Sequence, residues 1–357
     1  MAVEETSIIA ALSKAARWIR RNGTITTEVT GNTVIGQVQI AHVKDFAHLK
    51  NIIAINKHFL IESANQHVAQ GLIKRGGGVS DLTLRSIDRD DGAHMAVIHV
   101  HVNCCDAMGA NIVNQICEYL KLPIEHLSSE KVTMCILSNL NTDKLTRAQV
   151  ILRNIDPELG QRLQEASLFA NQDPYRAATS NKGVLNGIDP VLIATGNDWR
   201  AVEAGIHAFA CRSGQYRSVT QWKVQDKDLI GTFEAPVIVG TVGGVTKLHP
   251  TAQMCLRILG VLHANDLARI IAAVGLVQNL GAIRALATEG IVQGHMRLHI
   301  DNLTLSVGAN AEEMPLLKKR LEELLAIRKR ITLSNAFEIL KELRDQALRA
   351  AKKRTAF

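Results

Sequence analysis

The chain has 357 residues, 46% hydrophobic and 21% charged, ordinary for a soluble globular protein of two or three domains with a sizeable core. The net charge of +7 equals the excess of twelve Lys and Arg over five acids within residues 318–357, so the rest of the chain is neutral; with aromatic residues at 4% it offers few base-stacking platforms, which excludes nucleic acid as a partner. No run of 18 uninterrupted apolar residues occurs and Met1-Ala2-Val3-Glu4-Glu5 has neither a basic nor an apolar signal region, so no membrane span or secretory signal is expected and the cytoplasm is the expected compartment. The six cysteines form no Cys-x-x-Cys pair and read as reduced, mostly buried thiols.

Residues 7–21 place Ile8, Ile9, Leu12, Ala15, Ala16, Trp18 and Ile19 at helical spacing behind Thr6 or Ser7 as N-cap. From Gly23 the period changes, and 24–30 and 33–42 read as strands split by Gly31-Asn32, a hairpin signal. Asp45 opens a long helix to about residue 70; after Gly76-Gly77-Gly78 come strands over 82–87 and 94–102, a helix over 109–122 and a strand over 132–137. Without the first strand the order is β-α-β-β-α-β, that of a ferredoxin-like unit. No Gly-x-Gly-x-x-Gly follows a predicted strand, so a Rossmann site is unsupported. Residues 140–290 read as mainly helical, with a strand region over 217–242 and a long buried helix over 252–274, and 310–357 read as charged amphipathic helices forming a lid.

The stretch 173–200 sets Arg176, Lys182, Asn186, Asp189 and Asp198 in an otherwise apolar run, and burying that many polar groups is costly unless they pair or bind something. A fold that returns Asp198 beside Lys182 makes a desolvated ion pair able to polarise a carbonyl oxygen; the same pair would equally serve to hold a helix in register, and both readings stand on these residues. Gly240-Thr241-Val242-Gly243-Gly244-Val245 is either a phosphate cradle or a tight turn. His99 and His101 alternate on a strand beside Cys104 and Cys105 with no second ligand pair at a zinc spacing, so no metal site is expected.

Five separated blocks resemble the hydroxymethylglutaryl-coenzyme A reductase family in the order that family uses: Val3-Glu4-Glu5-Thr6-Ser7, Asp106-Ala107-Met108-Gly109-Ala110-Asn111, Asn181-Lys182-Gly183, Gly196-Asn197-Asp198 and Gly294-His295-Met296. The sequence around the core is similar to the class II form of bacteria and archaea. In that family a segment precedes the acidic motif, which here stands at the start of the chain. The resemblance implies an α+β protein: a large, mainly helical substrate domain over 1–22 and 132–290, an inserted ferredoxin-like cofactor domain over 23–131, and a C-terminal helical flap over 291–357. It implies reductive deacylation of hydroxymethylglutaryl-coenzyme A to mevalonate and coenzyme A by two hydride transfers.

On the matching positions, Lys182 would stabilise the oxyanion, Asp198 would hold Lys182 charged, Glu5 would donate a proton to the reacting oxygen and His295 would protonate the departing thiolate. Ser7, Arg176 and Asn186 would hold the hydroxymethylglutaryl group, and Asp106, Met108, Gly109 and Asn111 the nicotinamide cofactor. NADH-using relatives place an acid where Gln66-His67-Val68-Ala69-Gln70 stands here, while Lys74 and Arg75 follow, which favours the 2′-phosphate of NADPH over NADH. The family implies no metal, and a dimer or assembly of dimers with each site completed across a subunit boundary. The alternative is a catalytically impaired relative that acts by binding, its basic C-terminal helices engaging an anionic partner.

Overall fold

The computed structural model describes residues 1–288, 300, 302–328 and 331–354. Helix α1 (Thr6–Asn22) buries Ile8, Ala15 and Ile19, the apolar stripe read from the sequence; Glu5, not Thr6 or Ser7, occupies its N-cap. The two strands that follow, β1 (Gly23–Thr30) and β2 (Val34–Ile40), do not form the expected hairpin. β1 pairs antiparallel along its length with β6 (Leu145–Leu152), whereas β2 pairs with β4 (His94–Asn103) and β5 (Met134–Leu137). The turn at Gly31, with φ 73°, therefore carries the chain from one sheet into another. Burial explains the division: Val38 and Ile40 of β2 are fully buried beneath helices, while β1 is mostly exposed or half-buried and suits a sheet edge.

The smaller sheet has the order β3-β4-β2-β5, with β3 spanning Gly78–Asp88, and carries α2 (Phe46–His67) and α4 (Ala110–Ser128) on one face. This is the expected ferredoxin-like βαββαβ unit, but its sheet runs from Val34 to Leu137 rather than over 23–131. Asp45 caps α2, accepting the His48 N–H at 2.9 Å. Ile98, Val100 and Val102 on the strands meet Leu49, Leu60, Ile116 and Leu120 on the helices, each fully buried. A short α3 (Gln70–Ile73) leads into the Gly76-Gly77-Gly78 turn.

The larger sheet, β1-β6-β8-β7, includes β7 (Thr220–Gln225) and β8 (Asp228–Ala235). Strand β6 falls where the sequence reads as helical. Its Thr146, Ala148, Val150 and Leu152 are buried at a period of two, but Leu145, Ala148 and Leu152 also satisfy a helical period, and pairing with β1 and β8 decides between them. Around this sheet lie α5 (Pro157–Gln172), α6 (Pro174–Ala194), α7 (Trp199–Ala210), α8 (Val245–Leu248), α9 (Pro250–Leu259) and α10 (Ala264–Ala287). The single helix expected over 252–274 is two, broken by Gly260 at φ 67°. By length and composition α10 could cross a membrane, yet Leu267, Ile271, Ala272, Leu276 and Leu280 are fully buried at the centre of the core. Beyond it, α11 (Glu313–Arg328) and α12 (Leu333–Arg354) pack through Leu317, Leu321 and Leu340 into a separate core, tied by Arg344 to Glu313 at 2.8 and 2.9 Å.

Candidate functional site

Helix α6 begins with Asp173 at the N-cap and Pro174 in the first turn, a pairing that pre-sets helical φ and satisfies the Arg176 N–H at 3.0 Å. Its inner side is held by buried polar bonds. Asn181 donates to the Arg217 carbonyl at 2.9 Å and accepts the Val219 N–H at 3.0 Å. Asn279 of α10 donates to Ser180 and accepts from the Trp222 indole at 2.8 Å and the Thr220 hydroxyl at 3.1 Å. At Gly187 a Cβ would meet the Gln278 Cβ at 2.9 Å, so α6 and α10 cross in close contact there. With Ser180 and Asn181 committed inward, Lys182 points outward, followed at i+4 and i+7 by half-buried Asn186 and Asp189. Pro190 has no N–H to give the Asn186 carbonyl, which opens the helix ladder beside this stripe.

Asp198 lies elsewhere within the chain. It is the exposed N-cap of α7, accepting the Arg200 and Ala201 N–H groups at 3.2 Å each, and its ion pair is with Arg200 at 3.6 Å. The desolvated Lys182–Asp198 pair expected from the sequence is absent among the ion pairs of the described residues, because the Asp198 carboxylate is turned onto its own helix. Lys182 acts electrostatically on Asp189, where burial and then neighbouring Glu203 push the pKa up to about 8 against the pull of Lys182.

The N-terminal segment reaches the same helix: the Ala2 N–H donates to the Pro190 carbonyl at 2.9 Å. Glu5 is exposed, and Ser7 is buried with its hydroxyl unpartnered among the described residues. Arg176 is half-buried, burial pushes its pKa down, and no hydrogen bond or ion pair of its guanidinium occurs among the described residues. A desolvated cation and a buried free hydroxyl are both poised for a polar ligand. His295, with Gly294 and Met296, lies outside the described residues.

The Asp106–Asn111 motif forms the turn into α4. Gly109 adopts φ 101°, and a Cβ there would meet the Cys104 Sγ at 2.4 Å, so only glycine fits. It caps α4 without a side-chain bond, leaving the first-turn N–H groups for a ligand. Met108 lines a cavity with Gly109, Asn139, Ala201 and Gly205, where the two units meet, and Asn111 is exposed. Asp106 faces α10: it accepts the Ala264 N–H at 2.8 Å and the His263 ring at 3.1 Å. Burial raises its carboxyl pKa, but those two bonds outweigh it and hold it below the ordinary value.

The glycine run, expected to be either a phosphate cradle or a tight turn, joins this motif to the turn before α7. The Thr241 N–H donates to the Asp106 carbonyl at 2.9 Å, the Gly240 N–H donates to the Asn197 Oδ1 at 2.8 Å, and Gly240 packs on the Met108 nitrogen. The glycine run is thus a bracket between the Asp106–Met108 turn and the Asn197-Asp198 turn. Lys144 is buried close enough for Asp106 and Cys104 to act on it electrostatically, and burial lowers its pKa. His99 bonds Gln37 at 3.0 Å and Arg85 at 3.3 Å, and His101 bonds Thr83 at 2.9 Å and Asp143; no group of metal-ligating side chains occurs among the described residues.

Residues 1–300 match the family model described as hydroxymethylglutaryl-coenzyme A reductase. The chain is 43% identical to the 3-hydroxy-3-methylglutaryl-coenzyme A reductase of Archaeoglobus fulgidus over 97% of its own length and 78% of that protein's. It is 32% identical to a probable enzyme of the same name from Borreliella burgdorferi, covering 85% and 70% of the two chains. The fold is similar to the class II enzyme of Streptococcus pneumoniae bound to NADPH in open conformations, with a TM-score of 0.78, 40% identity and coverage of 80% and 79%. A second structure of that enzyme matches 96% of this chain and 82% of its own, again with a TM-score of 0.78.

Proposed function

Since the chain belongs to the hydroxymethylglutaryl-coenzyme A reductase family, we propose that it interconverts hydroxymethylglutaryl-coenzyme A with mevalonate and coenzyme A, using the stripe of α6, the N-terminal segment and the Asp106–Asn111 turn. The observation that supports this most is the bracket at Gly240 and Thr241, which fastens the cofactor motif to the turn bearing Asp198.

NADPH, when bound, supplies the hydride. The fit is carried by the uncapped N-terminus of α4 behind Gly109, which suits a diphosphate, and by Lys74 and Arg75, which suit a ribose 2′-phosphate. The Arg75 carbonyl accepts the Cys105 thiol at 3.5 Å, so the basic pair stands beside the start of the motif. Asp106 fixes that turn against α10.

Arg176, partly desolvated and with no ion pair among the described residues, holds the substrate's free carboxylate, and Ser7 and Asn186 add neutral hydrogen bonds. Lys182 stabilises the oxygen that gains charge as the thioester carbonyl is reduced. Glu5 gives that oxygen its proton, and His295 protonates the thiolate of coenzyme A as the hemithioacetal collapses. Asp198 keeps Lys182 charged. Because it is exposed and apart from Lys182 in one chain, the pair is completed by a second copy in a dimer or assembly of dimers. With α10 accounted for as a core helix, the compartment we propose is the cytoplasm.

The test is cofactor oxidation followed by absorbance with hydroxymethylglutaryl-coenzyme A as substrate and Lys182→Ala as control, with free thiol titrated in parallel. Thiol release with two NADPH consumed per substrate, lost in Lys182→Ala, is the expected result. No turnover by the folded wild type would refute the reading.

A further inference from the structure

The chain passes between its two sheets twice, from β1 to β2 and from β5 to β6, and the two crossings are bonded side by side. Asn141, 1% exposed, does most of the joining. Its amide donates to the Thr33 carbonyl of the first crossing at 3.1 Å, and its Oδ1 accepts the Asp143 and Lys144 N–H groups of its own crossing at 2.9 and 3.1 Å. The Thr30 hydroxyl donates to the Leu145 carbonyl at 3.4 Å, and a Cβ at Gly31 would collide with the Asp143 carbonyl, so the crossings lie backbone to backbone. The Asp143 carboxylate accepts the Thr33 hydroxyl at 3.4 Å and the Thr142 hydroxyl at 3.2 Å, and it pairs with Nδ1 of His101 on β4. Val100 and Val102 turn inward against α2 and α4, so strand alternation puts His101 on the other face of the smaller sheet, where its Nε2 meets the Thr83 hydroxyl of β3 at 2.9 Å. A carboxylate only accepts, so Nδ1 carries the proton and both ring nitrogens are used. The His101 and Asp143 side chains are 14% and 29% exposed, so water competes with their bond less than it would on an open surface.

Strand β4 ends at Asn103, three residues before Asp106, so a bond from the second crossing to His101 holds the strand that delivers the cofactor motif. Asn141 also lines the cavity shared with Met108 and Gly109, which places the crossings beside that motif. The bracket at Gly240 and Thr241 and the bond from Asp106 to Ala264 hold the motif itself. A sheet fastened only at its motif can still pivot on two adjacent chain crossings, as on a hinge; Asp143 removes that freedom by tying the hinge to β4. We infer that Asp143 and His101, on crossings joined by Asn141, form a hinge latch that fixes the orientation of the smaller sheet, and with it the Asp106–Asn111 turn, relative to the polar stripe of α6. Transfer between two bound groups is that sensitive to placement: a displacement of about 1 Å costs on the order of 100-fold in rate. Asp143 and His101 are thus positioning residues that act through β4, and their bearing on turnover rests on the cofactor and substrate placements proposed above.

The test compares the wild type with Asp143→Ala, Asp143→Leu, Asp143→Asn, His101→Ala and His101→Asn by amide hydrogen exchange over residues 31–34 and 139–145, and by steady-state kinetics with NADPH deuterated at the transferred position. Asp143→Ala and His101→Ala should raise exchange in both crossings about fivefold or more while leaving α6 and α10 as in the wild type. In both, kcat should fall about tenfold or more with KM for NADPH and for the substrate within about twofold, and the isotope effect on kcat should rise as hydride transfer becomes the slow step. Asp143→Asn keeps an acceptor and His101→Asn keeps a donor near the place of Nδ1, so both should recover slow exchange and most of kcat; Asp143→Leu, which fills the space without accepting, should stay with Ala. Should Asp143→Ala not fold, His101→Ala against His101→Asn decides alone. Unchanged exchange or unchanged kcat in the Ala variants overturns the latch, as does a loss confined to KM, a Leu variant that recovers, or Asn variants no better than Ala. A wild type without turnover whose crossings open in Asp143→Ala and close again in Asp143→Asn supports the latch and refutes the reductase reading instead.

Discussion

The carboxylate of Asp106 accepts the N–H of Ala264 at 2.8 Å, closing a bond across 158 residues. Ala264 opens α10 and His263, its N-cap, offers no side-chain cap to its own helix, so Asp106 performs that task from the cofactor motif. One residue therefore secures both the turn into α4 and the start of the central helix.

Asp106→Ala is expected to cost about 1 kcal/mol or somewhat more, the scale of a lost helix cap, and to raise KM for NADPH more than it lowers kcat. Because the folded pKa of Asp106 is depressed, its contribution is present above the unfolded value and is lost as pH falls through the folded one. Urea midpoints measured from neutral to acidic pH check this: the gap between wild type and Asp106→Ala narrows on acidification.

Gly109→Ala places a Cβ 2.4 Å from the Cys104 Sγ at φ 101°, so both the contact and the backbone oppose it. A loss of roughly 1–3 kcal/mol is expected, with NADPH affinity falling further than stability. Calorimetry beside cofactor titration separates the two, and an Ala variant with wild-type affinity contradicts the placement of the cofactor at this turn.

Asp198 is both a helix cap and the proposed partner of Lys182 in a second subunit. Asn caps helices about as well as Asp, so Asp198→Asn should keep Tm while kcat falls about 100-fold, and Asp198→Ala should lose both. Coexpression of Lys182→Ala with Asp198→Asn tests completion across subunits. Random pairing leaves about a quarter of the sites intact, and that share of activity should return; no recovery from mixed dimers would show that the pair forms within one chain.

Charge reversal at Lys74 and Arg75 is expected to raise KM for NADPH about tenfold or more while changing KM for NADH less than about threefold, since only NADPH carries the 2′-phosphate. Steady-state comparison of the two cofactors measures this directly. Equal effects would remove the reason to prefer NADPH.

Much of this was legible in the linear chain where the physics is local. Asp45 announces α2 because a carboxylate at the N-cap accepts a backbone N–H three residues on. The ferredoxin-like order was readable because β2, β4 and α4 each keep one apolar face at their own period. Strand β6 was not, since its apolar residues satisfy two periods at once, nor was the division of β1 from β2, which turns on partners more than a hundred residues away.

The same line runs through the site. The sequence by itself determined which groups are available: an arginine, a lysine and an asparagine on α6, an acid near its N-terminal neighbour, a glycine where α4 must begin, and motifs whose order places the chain in its family. Only the tertiary structure decided how those groups are used. It turned Asp198 onto α7 and away from Lys182, gave Asp106 to α10, and made the glycine run after β8 a bracket between two motifs. Residue type and spacing specify what a side chain can donate, accept or ionise; which atom it meets, and how much water is left around it, depends on long-range packing that no local pattern encodes.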